Sequence, residues 1–266
     1  MRRRLDQEMV RRGLVTTRNA AQVAIDANRV TVGGAPAMKA ARQVAIDEPI
    51  ELLGPPRPYV GRGGEKLAAA LDRFEIEVTG KRCADIGASV GGFSDVLLQR
   101  GAREVYAVDV GKGQLHDKLR RDERVKVEEG VNARHLGLSH VDQVPVDLAV
   151  VDVSFISLRL VTPAVMGVTR NDSDVVFLVK PQFEATRQQV SKGNGVVRDP
   201  EVWMQVLTRL NGVFSAQNLY LVGLMPSPLK GAEGNVEFLG HLRKDGPRRR
   251  VGVPDFEAAI EAAVAM

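Results

Sequence analysis

A short glycine-rich segment, residues 85–93, combines residue types that could hold a small ligand against the backbone. It reads Asp-Ile-Gly-Ala-Ser-Val-Gly-Gly-Phe, and it joins a predicted strand at residues 82–84 to a helical pattern that begins at Ser94. A second predicted strand, residues 104–109, ends on Asp109, whose carboxylate could accept hydrogen bonds from ribose hydroxyls. We therefore expect the two strand ends to meet at one nucleoside.

The spacing of the glycines distinguishes between two nucleotide ligands. A dinucleotide fingerprint places its first two glycines two positions apart and turns the start of the helix towards a pyrophosphate. Here Ser89 stands two positions after Gly87, and the later glycines are the adjacent pair Gly91 and Gly92. The pattern favours S-adenosylmethionine, which has no phosphate, over a dinucleotide. A turn with a purely structural role is the remaining alternative.

Four charged residues could add chemistry at this ligand. Asp152 and Lys180 end two predicted strands, Glu237 stands near the last one, and Lys66 lies at the start of a predicted helix. Methyl transfer from a sulfonium is an in-line displacement, so the nucleophile must be aligned and must lose its proton. Lys180 could accept or share the proton of a ribose hydroxyl, while the acids orient the lysines. Lys66 or Glu237 taken singly could equally form an ordinary surface salt bridge.

The elements that must position these residues alternate between strand and helix. Beyond the first two strands, the sequence predicts strands at residues 125–128, 146–152 and 174–181, and a closing antiparallel pair around 219–227 and 236–242. A helix after residue 64 has the inner face Leu67, Ala70, Leu71 and Phe74. This order predicts an α/β fold: a Rossmann-like, mostly parallel sheet with helices on both faces, typical of S-adenosylmethionine-dependent methyltransferases.

Composition excludes several classes of protein. The 266 residues carry a net charge of +4 and are 44% apolar, but no apolar run reaches the roughly 20 residues that cross a bilayer. The arginine-rich start lacks the apolar core of a signal peptide, so we expect a cytoplasmic protein. One cysteine, Cys83, excludes an internal disulfide and fits the packed core. The histidines show no metal-ligand spacing, so we expect no metal.

The first fifty-six residues are basic and carry nine Lys or Arg against six Asp or Glu. Leu5 and Met9 share one helical face, Thr17 is a plausible N-cap for a second helix, and a β-run with a Gly-Gly turn follows. Two short helices before a small hairpin resemble the S4 RNA-binding domain over residues 2 to about 53. The resemblance implies docking on structured RNA through phosphates and shape. A solvated charged helix face is the alternative.

A proline-rich segment separates this region from the rest of the chain. Residues 54–60 contain three prolines, which stiffen a linker. We therefore expect three parts: an S4-like domain at residues 1–53, a linker at 54–60 and a methyltransferase domain at 61–266.

Six motifs, in order along nearly the whole chain, carry a closer resemblance. They are residues 85–93, Asp109-Val-Gly-Lys-Gly-Gln-Leu115, Asp152-Val-Ser-Phe-Ile-Ser157, Val179-Lys-Pro-Gln-Phe-Glu184, Gly195-Val-Val-Arg-Asp-Pro200 and Ser227-Pro-Leu-Lys-Gly-Ala-Glu-Gly-Asn-Val-Glu237. Together they resemble the TlyA family, bacterial ribosomal RNA 2′-O-methyltransferases that have an S4 domain and an FtsJ-like catalytic domain.

This resemblance implies a set of site residues. The Lys-Asp-Lys-Glu constellation of FtsJ-like enzymes corresponds by position to the catalytic candidates Lys66, Asp152, Lys180 and Glu237. The cofactor-binding candidates are Asp85, Gly87, Ala88, Ser89, Gly91, Gly92, Phe93, Asp109, Val110, Asn132, Asp152 and Phe155. Phe155 could pack against the adenine or belong to the core. The RNA-binding candidates are Arg3, Arg4, Arg11, Arg12, Arg18 and Arg62.

The same resemblance implies what these residues act on. It implies S-adenosylmethionine as methyl donor and cytidine 2′-hydroxyls of ribosomal RNA as targets, in the small subunit, the large subunit or both. We expect a monomer that works on ribosomal subunits and does not bind membranes. Two other functions are weighed: a ribosome-binding protein without catalysis, and a membrane-active haemolysin, as a name used in the family suggests. The first should lack one of the four catalytic candidates, and the second needs a spanning or strongly amphipathic segment.

Overall fold

The computed structural model describes residues 2–54, 58–244 and 253–266. The chain divides into two compact units, one up to Pro58 and one from Tyr59 onward. Three residues of the expected linker, Pro55, Pro56 and Arg57, lie outside the described residues.

The described residues of the first unit form two helices and five short strands. In chain order these are β1 (Arg2–Arg4), α1 (Leu5–Arg11), α2 (Arg18–Asp26), β2 (Val30–Val32), β3 (Ala35–Pro36), β4 (Gln43–Ala45) and β5 (Ile50–Leu52). Strands β1 and β4 pair with each other, and β3, β2 and β5 form a second antiparallel sheet. The predicted cap is present, because the Thr17 side chain accepts a hydrogen bond from the Ala20 amide at 3.1 Å. Leu5 and Met9 are fully buried in the small core, as their shared helical face predicts.

The second unit is built around a seven-stranded sheet. Its elements are α3 (Gly63–Arg73), β6 (Arg82–Ile86), α4 (Gly92–Gln99), β7 (Glu104–Asp109), α5 (Asp117–Arg120), β8 (Val125–Glu129), β9 (Val146–Val151), α6 (Leu158–Gly167), β10 (Thr169–Val179), α7 (Pro181–Glu184), α8 (Arg187–Lys192), α9 (Pro200–Ser215), β11 (Tyr220–Pro226), β12 (Phe238–Arg243) and α10 (Val253–Val264).

The order of the strands confirms the predicted sheet. It runs β11-β12-β10-β9-β6-β7-β8, with parallel pairing from β10 to β8 and antiparallel pairing of β12 with both of its neighbours. Two hydrophobic clusters, one on each face, enclose the central strands. This explains why β9 reads as a continuous apolar run.

The sequence missed the beginning of one strand. Strand β10 begins at Thr169 rather than at residue 174, because Thr169 already pairs with Val146 before a shift in register. The stretch between them is polar and hides the strand from a search for apolar runs. Asp152 and Lys180 both lie directly after their strands, so their side chains enter loops at the carboxyl edge of the sheet.

Two further findings concern the described residues only. None of their helices is long and apolar enough to span a membrane. In the same part of the chain, His, Cys, Asp and Glu side chains form no group of three or more that could hold a metal ion.

Candidate active site

The glycine-rich turn after β6 depends on positive φ angles. Gly87, Ser89 and Gly91 have φ values of 89°, 48° and 93°. A Cβ atom on Gly87 would lie 2.4 Å from the backbone oxygen of Asp152, so no side chain fits there. The amides of Gly87 and Ala88 both donate to the oxygen of Val108 on β7, at 2.8 and 3.1 Å. The turn is thus fixed between the ends of β7 and β9.

Asp85, at the start of this turn, is fully buried. Its Oδ2 accepts hydrogen bonds from the amide and the hydroxyl of Ser94, at 2.8 and 2.7 Å. Its Oδ1 is buried without a hydrogen-bond partner among the described residues. Burial raises the pKa of the carboxyl to about 7, although the Ser94 hydrogen bonds oppose this shift. An unpartnered buried oxygen facing a cavity is suited to a ligand donor or cation.

Asp109 lies at the end of β7, as predicted, and both of its oxygens contact backbone amides. Oδ2 accepts from Ser89 at 2.8 Å, and Oδ1 accepts from Gly111 at 2.7 Å. The carboxylate therefore joins the glycine-rich turn to the loop after β7. Each oxygen keeps a second acceptor site, which a ribose hydroxyl could use.

Two neighbouring cavities lie along the carboxyl edge of the sheet, with volumes of about 360 and 520 Å³. We call them the first and the second cavity. Asp152, Gly87, Ser89 and Phe155 line both of them. The other cofactor-binding candidates divide between the two: Asp85, Ala88, Gly92 and Phe93 line the first, and Asp109, Val110 and Asn132 line the second. Gly91 lines neither cavity. A Cβ atom on Gly91 would meet the side chains of Leu119 and Leu115.

All four catalytic candidates line the first cavity, where they form two ion pairs. The Lys180 ammonium lies 2.6 Å from Asp152 Oδ1 and donates a hydrogen bond to Ser154 Oγ at 2.8 Å. Lys66 donates to Glu237 Oε2, and both side chains are buried. Burial raises the pKa of Glu237, although the charge of Lys66 opposes this shift.

Phe155 is not a core residue: 91% of it is exposed, so the structure excludes the core alternative. Its φ angle is 62°, which a large side chain rarely adopts. Its ring lies 5.0 Å from that of Phe183, and both residues line the first cavity. Exposure and an unusual backbone angle beside a cavity are typical of a residue that contacts a ligand.

Sequence reasoning missed several residues that line the cavities. Ser154 was quoted within a motif but given no role, although its hydroxyl binds Lys180. Gln182 lines the first cavity, and its buried Oε1 has no partner within the described residues. Gln114 and Val131 line the second cavity. The signal in the sequence was position: Ser154, Gln182 and Gln114 belong to the quoted motifs, and Val131 lies three residues after a predicted strand.

Four arginines of the first unit pair with two buried acids. Asp6 binds Arg4 and Arg18, each at 3.0 Å, and Glu8 binds Arg11 and Arg12 at 2.6 and 2.8 Å. Hydrogen bonds from these arginines, led by those of Arg4 and Arg11, lower the pKa of both acids to about 2. Each cluster therefore keeps one net positive charge.

The arginines differ in how much of their charge remains available. The side chains of Arg4, Arg11 and Arg18 are 41%, 45% and 59% exposed. Arg12 is 21% exposed and also donates to the backbone oxygens of residues 45, 46 and 48, which gives it a structural role. Arg3 is exposed, and Arg62, in the second unit, lines the first cavity.

Comparison with family models gives two matches. Residues 59–244 match the model described as FtsJ-like methyltransferase, and residues 3–50 match the S4 domain. The first match covers the glycine-rich turn and the four catalytic candidates.

Known proteins resemble the chain over its full length. It is 43% identical over 264 residues to the 16S/23S rRNA (cytidine-2′-O)-methyltransferase TlyA of Mycobacterium tuberculosis, covering 99% of this chain and 97% of that protein. It is 41% identical to Hemolysin A of Brachyspira hyodysenteriae, over 90% of this chain and 99% of that protein. A solved structure of a haemolysin-named protein from Streptococcus thermophilus superposes with a TM-score of 0.77 at 38% identity, over 98% of this chain and 95% of the other.

Proposed function

The chain belongs to the TlyA family of FtsJ-like methyltransferases, and on that premise we propose that it methylates the 2′-hydroxyl of cytidine in ribosomal RNA. The observation that carries the proposal is the meeting of Lys180, Asp152, Lys66 and Glu237 in one cavity beside the glycine-rich turn. The M. tuberculosis relative is named for this reaction on 16S and 23S RNA. We propose the same target class here, in one subunit or both.

The residues around the two cavities fit S-adenosylmethionine. Gly87 leaves room for backbone contact, and Asp109 keeps acceptor sites for ribose hydroxyls. The unpartnered Oδ1 of Asp85 suits the ammonium of the methionine part. We assign Asn132 and Phe155 to the adenine end, since both line the second cavity. When bound, the cofactor supplies an electrophilic methyl group on a sulfonium.

Lys180 is the residue that we place at the target oxygen. A ribose hydroxyl must be aligned with the methyl group: its oxygen bonds to the methyl carbon as the sulfur–methyl bond breaks, and its proton passes to Lys180 in the amine form or to water. Asp152 and Ser154 both contact the Lys180 ammonium, and these two contacts favour its position in the cavity. Lys66 and Glu237 form the second, buried ion pair of the cavity, and their opposite charges add a fixed dipole to the site.

The first unit supports an RNA substrate. The exposed parts of Arg4, Arg11 and Arg18 can contact phosphates, and Arg3 adds a further charge. We propose that residues 1–53 dock on the ribosomal subunit and that residues 61–266 carry out methyl transfer. Residues 54–60 form the linker between these two domains. In this account the protein acts as a monomer in the cytoplasm, where ribosomal subunits are found.

The two alternative functions find less support. A protein that only binds ribosomes has no need of the paired lysines and acids, and all four are present and face one cavity. A membrane-active haemolysin rests on the names of relatives. The described helices include none that could span a bilayer.

Transfer of tritiated methyl from S-adenosylmethionine to purified 30S and 50S subunits tests the proposal. The labelled RNA should yield 2′-O-methylcytidine after digestion to nucleosides, and it should resist alkaline cleavage at the modified site. Label in another nucleoside would change the proposed target. Absence of label in both subunits, in a preparation that binds the cofactor, would contradict the proposed function.

A further inference from the structure

Glu184 is a buried acid that the mechanism above does not use. One of its oxygens accepts a hydrogen bond from the Ser157 hydroxyl at 2.6 Å, and the other accepts from the Leu158 amide at 2.7 Å. Ser157 ends the loop after β9, and Glu184 stands four residues after Lys180, at the end of the short helix α7 that follows β10. Glu184 therefore links the two loops that carry Asp152 and Lys180.

The backbone of the loop after β9 makes few other hydrogen bonds. At its start, the Asp152 amide donates to the oxygen of Ile86 at 2.9 Å. Within the described residues, the amides of residues 153–156 have no hydrogen-bond acceptor. The backbone of the loop is thus hydrogen-bonded at its two ends, to Ile86 and to Glu184, while Val153 and Ile156 in between pack against the hydrophobic core. Ser154, which binds Lys180, lies between these two points.

Glu184 itself is firmly anchored. It ends the short helix α7, where the Ala185 amide closes the turn on Pro181 at 2.8 Å. Arg209 of α9 donates to its backbone oxygen. Burial raises the pKa of the carboxyl, and the hydrogen bonds from Ser157 and Leu158 oppose this shift. Hydrogen bonds to a buried carboxylate are strong, so the link resists opening.

Glu184 could instead be a simple cap, because Leu158 is the first residue of α6. A cap affects the stability of the helix that it begins. It does not affect the rate of chemistry at a residue on another strand. The two roles therefore differ in what the loss of Glu184 does to turnover.

We propose that Glu184 is a positioning residue for methyl transfer: it fixes the loop after β9 so that Asp152 and Ser154 meet Lys180 at the target hydroxyl. This inference rests on the proposed function. It adds a residue that contacts neither cofactor nor RNA and that acts through Ser157.

Turnover measurements on four proteins test the role. They are the wild type, Glu184→Ala, Glu184→Gln and the control Glu77→Ala, which removes an exposed acid with local hydrogen bonds far from the cavities. Glu184→Ala should lower kcat about 10- to 100-fold while KM for RNA and cofactor affinity stay within about threefold, because only alignment is lost. Glu184→Gln can still accept from Leu158 and donate to Ser157, so it should restore most of kcat. Ser157→Ala provides the same test if Glu184→Ala does not fold.

Hydrogen exchange of cofactor-free protein separates this inference from the proposed function, because it needs no RNA. The amides of Asp152 and Leu158 are hydrogen-bonded at the two ends of this loop, and both should exchange faster in Glu184→Ala than in the wild type, while the amides of α4 should not change. Unchanged kcat, or unchanged exchange in this loop, would overturn the role of Glu184. An inactive wild type with a loop that loosens on substitution would instead refute the proposed function and leave the loop anchor in place.

Discussion

Gly87 lies directly against the backbone of Asp152: a Cβ atom on Gly87 would be 2.4 Å from the Asp152 oxygen. The glycine-rich turn and the loop that carries Asp152, the ion-pair partner of Lys180, are thus in backbone contact. Neither backbone can move aside as a flexible side chain could.

Replacing Gly87 by alanine should therefore impair both cofactor binding and methyl transfer. We expect cofactor binding to weaken and methyl transfer to fall by about 100-fold, since ångström-scale shifts at a reacting centre have effects of this size. Gly80→Ala is the matched control, because Gly80 also has a positive φ, of 73°, but a Cβ there meets nothing within 4 Å. Titration calorimetry with cofactor and a methyl-transfer assay check both variants. Equal effects at Gly80 and Gly87 would show that backbone strain alone is responsible.

The raised pKa of Asp85 predicts a pH-dependent stability. Its pKa is about 7 in the folded protein, against an ordinary value of 3.8, so the folded state binds one proton more between these values. The contribution of Asp85 to stability is therefore full below about pH 4 and is lost as the pH rises through 7, by at most about 4 kcal/mol.

Asp85→Asn removes this dependence, because the amide oxygen can still accept from Ser94 and does not titrate. Relative to the wild type, the variant should gain stability as the pH rises from about 4 to about 7, and the difference should level off above that range. Denaturant unfolding at several pH values measures the difference. A difference that is constant with pH would contradict the raised pKa.

The exposure of Phe155 predicts that its ring serves a ligand rather than the fold. Phe155→Ala should leave the melting temperature unchanged and weaken cofactor binding up to about 10-fold, the size expected for a lost stacking contact. Phe214→Ala is the contrasting control, because that ring is buried and its loss should destabilise the protein by about 3–5 kcal/mol. Calorimetry and cofactor titration together check both results. A drop in melting temperature for Phe155→Ala with unchanged affinity would reverse the assignment.

Two arginines of the first unit should respond differently to removal. Arg18→Ala should reduce the slope of log affinity for ribosomal RNA against log salt by about one, because one phosphate contact is lost, and should leave the fold intact. Arg12→Ala should lower the melting temperature, since three backbone oxygens lose their donor. Filter binding at several salt concentrations and thermal unfolding check the pair. An unchanged salt slope for Arg18→Ala would remove it from the RNA contacts.

The features that sequence predicted best are those with local causes. A strand buried on both faces needs a continuous apolar run, and β9 has one. Positive φ angles favour glycine, and the turn after β6 has glycines at such positions. Both features can therefore be predicted from residue type alone. The Thr17 cap is equally local. The carboxyl ends of parallel strands lie at one edge of a sheet. Since Asp152 and Lys180 each follow such a strand, the sequence alone predicts that they lie close together.

What sequence did not predict depends on contacts between distant segments. Lys66 pairs with Glu237, which lies 171 positions away in the sequence. No local sequence pattern predicts which acid a given lysine will pair with. The structural use of Arg12 is invisible for the same reason, since its partners are backbone oxygens on another strand and turn. Phe155 looks like a core residue by type, and only its place in a loop exposes it.

The most direct test of the account is methyl transfer by Lys180→Ala. The matched control is Lys126→Ala, which removes an exposed lysine from β8, outside both cavities. With saturating S-adenosylmethionine and ribosomal subunits, Lys180→Ala should lose at least about 100-fold in single-turnover rate while still binding cofactor, because the group at the target oxygen is gone. Lys126→Ala should match the wild type. A Lys180→Ala variant that methylates ribosomal RNA at the wild-type rate would contradict the central claim.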